Sequence, residues 1–309
     1  MSGQALAVEV AGVAFQNPLV LAAGTAAYGR ELDDVIDLAA LGGIVTKAVS
    51  PEPRAGNAAP RVAEFPQGMI NAVGLANPGM DEVRAIELPW LASHRGPARV
   101  LVNVVGRTVD DFASVVSTLD DADGFDGFEL NVSCPNTRAG GLEFGADRNV
   151  LADLVGRARK ATARPLFVKL SPTLPDIGGT AQCAVGAGAS GITVVNTVPG
   201  LVIDVERRRP ALGFGSGGVS GAALLPVGVL ATWRVSRAVK VPVIGVGGVR
   251  SAEDVVQYVL AGASLVGIGT AALAQPRRPE RIVRDLARWC DRHGIGTLSS
   301  LRGALEWPS

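Results

Sequence analysis

Gly127-Phe128-Glu129-Leu130 is a short, mostly apolar run that leads directly into the polar stretch Asn131-Val132-Ser133-Cys134-Pro135-Asn136. Short runs rich in Val, Ile and Leu, separated by helix-length amphipathic segments, are typical of parallel strands buried on both faces. The chain holds eight such runs: Leu19 to Ala23, Gly43 to Thr46, Val100 to Val104, Gly127 to Leu130, Leu166 to Leu170, Gly191 to Val195, Val241 to Val246 and Ser264 to Gly269. Eight strand-and-helix units in 309 residues predict an α/β fold, the (β/α)₈ or TIM barrel.

The segments outside these units predict how the barrel is closed and covered. Val8 to Phe15 alternates about a glycine, which predicts an N-terminal β-hairpin that plugs the N-terminal end. Ala48 to Met80 and Val198 to Gly221 are too long for simple connections, so we expect insertions over the C-terminal face. No linker divides residues 1–309, which predicts one domain. The alternative, an open doubly wound sheet, lacks a Gly-x-Gly-x-x-Gly motif after the first strand.

Composition argues against several classes of protein. The formal net charge is zero and the isoelectric point is near 6.8, so no surface for nucleic acid is predicted. Cys134, Cys183 and Cys290 offer neither a disulfide framework nor the spacing of a metal or iron–sulfur site. The apolar runs are too short to cross a membrane. A signal peptide begins with a positively charged segment, and this chain has no Lys or Arg before Arg30. We expect a reduced, cytoplasmic protein without a metal ion.

Polar residues and glycines gather at the ends of the predicted strands, where barrels of this kind carry their catalytic groups. In chain order they are Thr25, Lys47, Asn103, Asn131, Lys169, Asn196, Thr197, Gly247, Gly248, Gly269 and Thr270. A single polar strand end is often a helix N-cap, and this explanation fits Thr25 or Thr270 alone. It does not explain a set of two lysines and three asparagines, which therefore predicts a site for a polar ligand.

Cys134 is the strongest candidate for a catalytic group. Two amides, a hydroxyl and a thiol close the strand that it follows, which suits a planar, polar substrate that must lose a proton. The alternative is a small buried hydrophobic residue, the common fate of a free cysteine. Cys183 and Cys290 fit that alternative better, because each lies in an apolar helical pattern.

Glycines in the last two units predict a phosphate site. Gly245-Val246-Gly247-Gly248 and Gly267-Ile268-Gly269-Thr270 each precede a predicted helix, at the strands where such barrels often bind phosphate, and Gly217, Gly218 and Gly221 could complete the site. A phosphate held there and a lysine beside a flat ring system fit flavin mononucleotide, because a cation stabilises negative charge on the ring. The alternative for Lys169 is an internal ion pair with Glu129.

Five motifs carry a resemblance to a known family: Val45 to Ala48, Asn71 to Gly79, Asn131 to Asn136, Phe167 to Pro172 and Val195 to Thr197. In these motifs, and over essentially its whole length, the chain resembles the class 1 dihydroorotate dehydrogenases. The resemblance implies one FMN-binding barrel domain over residues 1–309. It also implies oxidation of (S)-dihydroorotate to orotate in de novo pyrimidine (UMP) biosynthesis.

The resemblance also implies roles for individual residues. Cys134 matches the base that removes the C5 proton while hydride passes from C6 of the substrate to N5 of FMN. The implied substrate contacts are Lys47, Asn71, Ala72, Val73, Gly74, Leu75, Asn131, Asn136, Asn196 and Thr197. The implied cofactor contacts are Ala23, Lys47, Ala48, Asn103, Asn131, Lys169, Val195, Gly221, Gly247, Gly248, Gly269 and Thr270. Ala23 departs from the small hydroxyl residue expected there, so that contact must come from the backbone or from Thr25.

Within the family, the loop Gly140 to Gly145 and the segment Asp204 to Pro210 resemble the NAD-linked class 1B rather than the fumarate-using class 1A. This resemblance implies a homodimer within a heterotetramer, whose separate electron-transfer subunit carries FAD and a 2Fe-2S cluster. The chain has no cluster-like cysteine spacing and no dinucleotide motif, as expected of the catalytic subunit.

Two other functions compete with this interpretation. A dihydropyrimidine dehydrogenase-like flavin domain would act on uracil or thymine, but a neutral pyrimidine would leave Lys47 without an anionic partner. A non-catalytic FMN-binding subunit is the second alternative. The presence of Cys134, Lys47 and Lys169 argues against it.

Overall fold

A closed barrel of eight parallel strands forms the centre of the computed structural model, which describes residues 5–133, 135–136 and 142–308. With strands numbered β1 to β18 in chain order, the barrel strands are β3 (Leu19–Leu21), β4 (Gly43–Val45), β7 (Arg99–Val104), β8 (Gly127–Asn131), β11 (Leu166–Leu170), β12 (Gly191–Val194), β17 (Val243–Val246) and β18 (Leu265–Ile268). Each barrel strand pairs with the next barrel strand in the chain, and β18 pairs with β3 to close the barrel. The predicted (β/α)₈ fold is confirmed.

The predicted N-terminal hairpin is present as β1 (Val8–Val10) and β2 (Val13–Phe15). Ala11 and Gly12 between them have φ values of 50° and 78°, the pair of positive φ angles that a tight two-residue hairpin turn requires. Val10 and Phe15 are buried against inward-facing residues of the barrel strands. These residues are Val20, Val45, Leu101, Phe167, Ile244 and Leu265. The hairpin thus packs on the layer of side chains below the polar strand ends.

Helices pack around the barrel. They are α1 (Met80–Glu82), α2 (Leu88–His94), α3 (Val109–Leu119), α4 (Arg148–Lys160), α5 (Ile177–Gly186), α6 (Leu225–Ala238), α7 (Ala252–Leu260), α8 (Thr270–Ala274) and α9 (Arg278–Arg292). A π-helical turn, Val83–Glu87, joins α1 to α2. After β3 the described chain forms two short 3₁₀ helices, Arg30–Leu32 and Leu38–Ala40, in place of an α-helix. Gly24, Ala27 and Gly29 have positive φ there, which interrupts regular helix.

The two predicted insertions form one antiparallel sheet over the C-terminal face. Its strands, in the order β13-β16-β6-β5, are β13 (Val198–Gly200), β16 (Gly217–Gly221), β6 (Gly68–Asn71) and β5 (Val62–Phe65). A hairpin of β14 (Ile203–Asp204) and β15 (Arg209–Pro210) extends from it, and we call the sheet and this hairpin the lobe. Gly218 allows close packing in the sheet, because a Cβ there would overlap the Thr197 hydroxyl.

A short hairpin lies beside the barrel mouth, with β9 (Pro135–Asn136) paired to β10 (Leu142–Glu143). Among the described residues, no helix combines the length and the apolar character that crossing a membrane would demand. In the same part of the chain, no group of three or more His, Cys, Asp or Glu side chains is placed to hold a metal ion.

The hairpin packing predicts a stability effect. Phe15→Ala should lower the free energy of unfolding by about 3–5 kcal/mol, because it leaves a cavity among buried apolar side chains. Urea denaturation measures this change. Glu9→Ala, on the exposed face of the same hairpin, is the matched control and should change the value by less than about 0.5 kcal/mol. Equal effects of the two substitutions would show that the hairpin does not pack on the barrel.

Candidate active site

A cavity of about 590 Å³ lies between the C-terminal ends of the barrel strands and the lobe. Every barrel strand contributes a residue at its end or in the loop that follows. Four successive barrel strands, β4, β7, β8 and β11, contribute Lys47, Asn103, Asn131 and Lys169 at or near their ends. Asn71 and the loop after it descend from the lobe. Barrel and lobe together therefore enclose the space in which a planar ligand would bind.

The structure brings most of the residues predicted for a site around this one cavity. From the predicted substrate contacts it brings together Lys47, Asn71, Ala72, Val73, Gly74, Leu75, Asn131, Asn196 and Thr197. From the predicted cofactor contacts it adds Ala23, Ala48, Asn103, Lys169, Val195, Gly221, Gly247, Gly248, Gly269 and Thr270. Cys134 lies outside the described residues, and for Asn136 the described feature is its backbone pairing with Leu142. Gly217 and Gly218 belong to the lobe sheet and do not line the cavity.

Hydrogen bonds fix the amide side chains at one end of the cavity. Asn196 Nδ2 donates to Ser133 Oγ at 2.9 Å and to Asn131 Oδ1 at 3.4 Å. Ser133 Oγ donates to Asn131 Oδ1 at 3.2 Å, and the Thr197 N–H donates to Asn196 Oδ1 at 2.8 Å. Since Asn131 Oδ1 accepts two of these bonds, its Nδ2 is oriented as the group left to donate to a ligand.

Ser133 lines the cavity, although the predicted substrate and cofactor contacts did not include it. It is 9% exposed, and its hydroxyl connects two of the predicted asparagines. The available signal was its place inside the motif that begins at Asn131, where a hydroxyl stands between the amide and the thiol. Ser220 was also missed, and it accepts a hydrogen bond from Thr270 Oγ1 at 2.8 Å. That bond ties the start of α8 to the lobe.

Lys169 is buried, and none of the described residues gives it an anionic partner. Its side chain is 6% exposed, and the ammonium makes no ion pair or hydrogen bond with the described residues. The proposed alternative, pairing with Glu129, is wrong: Glu129 Oε1 accepts a hydrogen bond from Asn103 Nδ2 at 2.8 Å, with no ion pair to Lys169. A buried charge is costly unless it is paired. The lysine therefore favours a ligand that brings negative charge or electron-rich acceptors.

Backbone amides of glycines line the cavity where β17 ends. Gly247 and Gly248 have φ values of 131° and 73°, in the region that favours glycine, and a Cβ on Gly248 would overlap the backbone of Leu225. In the described chain, the N–H groups of both glycines donate to no protein acceptor. Gly248, Gly269 and Thr270 also line an adjoining cavity of about 410 Å³. Free amides in such a turn are suited to an anion such as phosphate.

Two ionisable groups have a pKa displaced from the ordinary value: Tyr28, which contacts the lining residue Ala48, and Glu143, which lies on β10. Burial raises the pKa of Tyr28, as do Glu87 and Glu31, so its hydroxyl stays a neutral donor to the Ala48 carbonyl at 3.1 Å. Burial also raises the pKa of Glu143, an effect that a hydrogen bond from Ser171 partly opposes. Tyr28 thus holds the chain just after Lys47. The Glu143 carboxyl stands close in sequence to the segment that carries Cys134, and its neutral form is favoured relative to an exposed glutamate.

Comparison with known proteins gives one consistent family. The chain matches the family model described as Dihydroorotate dehydrogenase over residues 5–289. It is similar to proteins named "Dihydroorotate dehydrogenase B (NAD(+)), catalytic subunit" from three bacteria. These are Pelobacter propionicus, 43% identical over 97% of this chain and 98% of the relative, Trichlorobacter lovleyi, 44% over 98% and 99%, and Desulforudis audaxviator, 44% over 96% of each.

The burial of Lys169 without an ion pair predicts that this lysine lowers the stability of the ligand-free protein. In protein stripped of small molecules, Lys169→Met should raise the free energy of unfolding by about 1 kcal/mol or more, because an unpaired buried charge is replaced by an apolar chain of similar length. Urea denaturation measures the change. Lys240→Met, at an exposed position, is the control and should have little effect. A less stable Lys169→Met variant would show that the chain itself stabilises this charge.

Proposed function

This chain belongs to the dihydroorotate dehydrogenase family, as its motifs predicted, and we propose that it oxidises (S)-dihydroorotate to orotate in pyrimidine biosynthesis. One observation carries the proposal: a single cavity joins two lysines, Lys47 and Lys169, with the amides of Asn131 and Asn196 and with a turn of free backbone amides. We further propose that residues 1–309 form one FMN-binding domain. The residue roles below are part of the same proposal.

FMN is the cofactor that these residues fit. The free N–H groups of Gly247 and Gly248 suit its phosphate, and the unpaired Lys169 ammonium suits the electron-rich pyrimidine end of its ring. FMN, when bound, accepts the hydride that leaves C6 of dihydroorotate. The other residues that would hold it are Ala23, Lys47, Ala48, Asn103, Asn131, Val195, Gly221, Gly269 and Thr270.

The substrate would bind between the lobe and the amide network. Lys47 Nζ forms no ion pair within the described chain, so it is available for the substrate carboxylate. The turn after Asn71 places Gly74 and Leu75 at φ values of 75° and 58°, and Asn71 Nδ2 donates to the Gly218 carbonyl at 3.3 Å. Asn131 and Asn196 can donate to and accept from a pyrimidine ring. Ala72, Val73, Asn136 and Thr197 complete the proposed substrate contacts.

Cys134 is proposed as the base that takes the C5 proton. The residue itself lies outside the described part of the chain, but Ser133 before it lines the cavity, and Pro135 after it pairs with Glu143. A free thiol has a pKa of about 8.5. The site must therefore favour the thiolate, or the proton must move to the sulfur atom as the hydride leaves.

Two alternatives are weaker on the same observations. A dihydropyrimidine dehydrogenase-like domain acting on uracil or thymine would leave the Lys47 ammonium unpaired. A non-catalytic FMN-binding subunit would not need the proposed base Cys134 or the proposed substrate contacts in the turn after Asn71. Its test is whether any substrate reduces the bound flavin.

We also propose the route by which electrons leave. The similar bacterial proteins are named NAD(+)-linked catalytic subunits, so this chain would pass electrons to NAD through a partner subunit with FAD and a 2Fe-2S cluster. We propose a homodimer within a heterotetramer, in the cytoplasm. Apolar side chains that are more than half exposed on the segment of β13 to β16 support burial against another protein. They are Leu201, Ile203, Val205 and Phe214.

Dihydroorotate should bleach the flavin absorbance of the purified chain under anaerobic conditions, because hydride transfer reduces the bound flavin. Absorbance spectra before and after addition of substrate measure this, with dihydrouracil and dihydrothymine as controls. NAD should restore the absorbance only after the partner subunit is added. Bleaching by dihydrouracil instead would favour the uracil or thymine alternative, and a flavin that no substrate bleaches would favour the non-catalytic subunit.

Cys134→Ala should keep bound flavin but slow dihydroorotate oxidation by about a hundredfold or more, because a positioned base is lost. Stopped-flow bleaching measures the rate. Cys183→Ala is the matched control: its thiol contacts the Arg148 carbonyl at 3.2 Å, away from the cavity, and the rate should not change. A near-normal rate for Cys134→Ala would remove this thiol from the mechanism.

A further inference from the structure

Tyr258 is a buried residue behind the glycine turn that no predicted role includes. It lies on α7 with 0% exposure, and its hydroxyl donates to the Gly247 carbonyl at 2.7 Å. The ring occupies space that glycines leave open, because a Cβ at Gly228 or Gly245 would overlap it. Burial raises the pKa of Tyr258, and the charge of Asp254 adds to this effect. The hydroxyl therefore remains a neutral donor.

The hydrogen bond from Tyr258 determines which way the Gly247–Gly248 peptide faces. That peptide is trans, and in a planar trans peptide the carbonyl and the N–H point in opposite directions. Tyr258 holds the Gly247 carbonyl on the side of α7. The Gly248 N–H is therefore directed to the other side of the peptide, where Gly248 lines both cavities.

The hydrogen bond from Tyr258 is needed because glycine has few steric limits on its backbone dihedral angles. Gly247 and Gly248 both have φ angles that glycine adopts at little cost, so the peptide between them could rotate without side-chain hindrance. A rotated peptide would present a carbonyl oxygen, which repels an anion, in place of an N–H. Apart from the bond to Tyr258, no hydrogen bond within the described chain holds this carbonyl or the Gly248 N–H.

We propose that Tyr258 is a positioning residue for the phosphate of the cofactor: its hydroxyl fixes the peptide so that the Gly248 N–H donates to a phosphate oxygen. The proposal rests on the FMN site proposed above and assigns part of its phosphate specificity to a side chain that does not touch the ligand. By this proposal, Tyr258 affects binding of the phosphate but not binding of the flavin ring, which it does not contact.

Riboflavin, which has the same ring but no phosphate, provides the test. Tyr258→Phe removes one oxygen atom and should weaken FMN binding roughly five- to tenfold, the effect of one lost hydrogen bond. Riboflavin affinity should stay the same, which also shows that the variant is folded. Flavin fluorescence titration of protein freed of cofactor measures both affinities, and wild-type binding of FMN must be established first.

Thr232→Val is the matched control. Thr232 is 0% exposed and packs near Gly245, but its hydroxyl has no hydrogen-bond partner within the described chain. Loss of this hydroxyl should leave both affinities unchanged. An equal loss of FMN and riboflavin affinity in Tyr258→Phe would overturn the proposal in favour of a general packing role, and an unchanged FMN affinity would overturn it outright. Failure of the wild-type chain to bind FMN would contradict the proposed function instead.

Discussion

The closure of eight parallel strands into a barrel is the constraint on which the site depends. Parallel strands in a closed barrel all end on one rim, so residues separated by more than a hundred positions, such as Lys47 and Lys169, lie around the same cavity. Below the rim, apolar side chains and the N-terminal hairpin fill the interior. This rigid, packed base lets the rim hold an unpaired lysine and free amides, groups that favour ligand binding over the stability of the empty chain.

The proposed phosphate site and the proposed ring site use different parts of the chain. At the phosphate site the contacts would be backbone amides, because glycine turns bring several N–H groups close to one anion. At the ring site they would be side chains, because a planar heterocycle needs donors and acceptors at defined positions around its edge. Further hydrogen bonds hold both groups of lining residues: Ser133 connects Asn131 to Asn196, and Tyr258 donates to the Gly247 carbonyl. Supporting groups of this kind decide the orientation of the groups that would touch a ligand.

The sequence predicted the barrel and the strand-end residues because both depend on local pattern: each strand is an apolar run, and each polar residue follows one. It did not predict that Gly68–Asn71 pairs with Gly217–Gly221, since periodicity carries no information on pairing between segments about 150 residues apart. The absence of an α-helix after β3 results from positive φ angles at Ala27 and the glycines near it. An alanine in the sequence does not indicate a positive φ angle. Tyr258 was not found because its helix pattern marks it only as buried. The roles of the cavity residues remain predictions.

A crystal structure of the chain with FMN and orotate would locate both ligands relative to the residues of the cavity. We expect the phosphate on the Gly248 N–H, the pyrimidine end of the flavin ring beside Lys169, and the orotate carboxylate on Lys47 with the Cys134 sulfur facing C5. A flavin bound in the opposite direction, with its phosphate at Lys169 or Lys47, would rule out the proposed site. So would orotate bound outside the cavity between barrel and lobe.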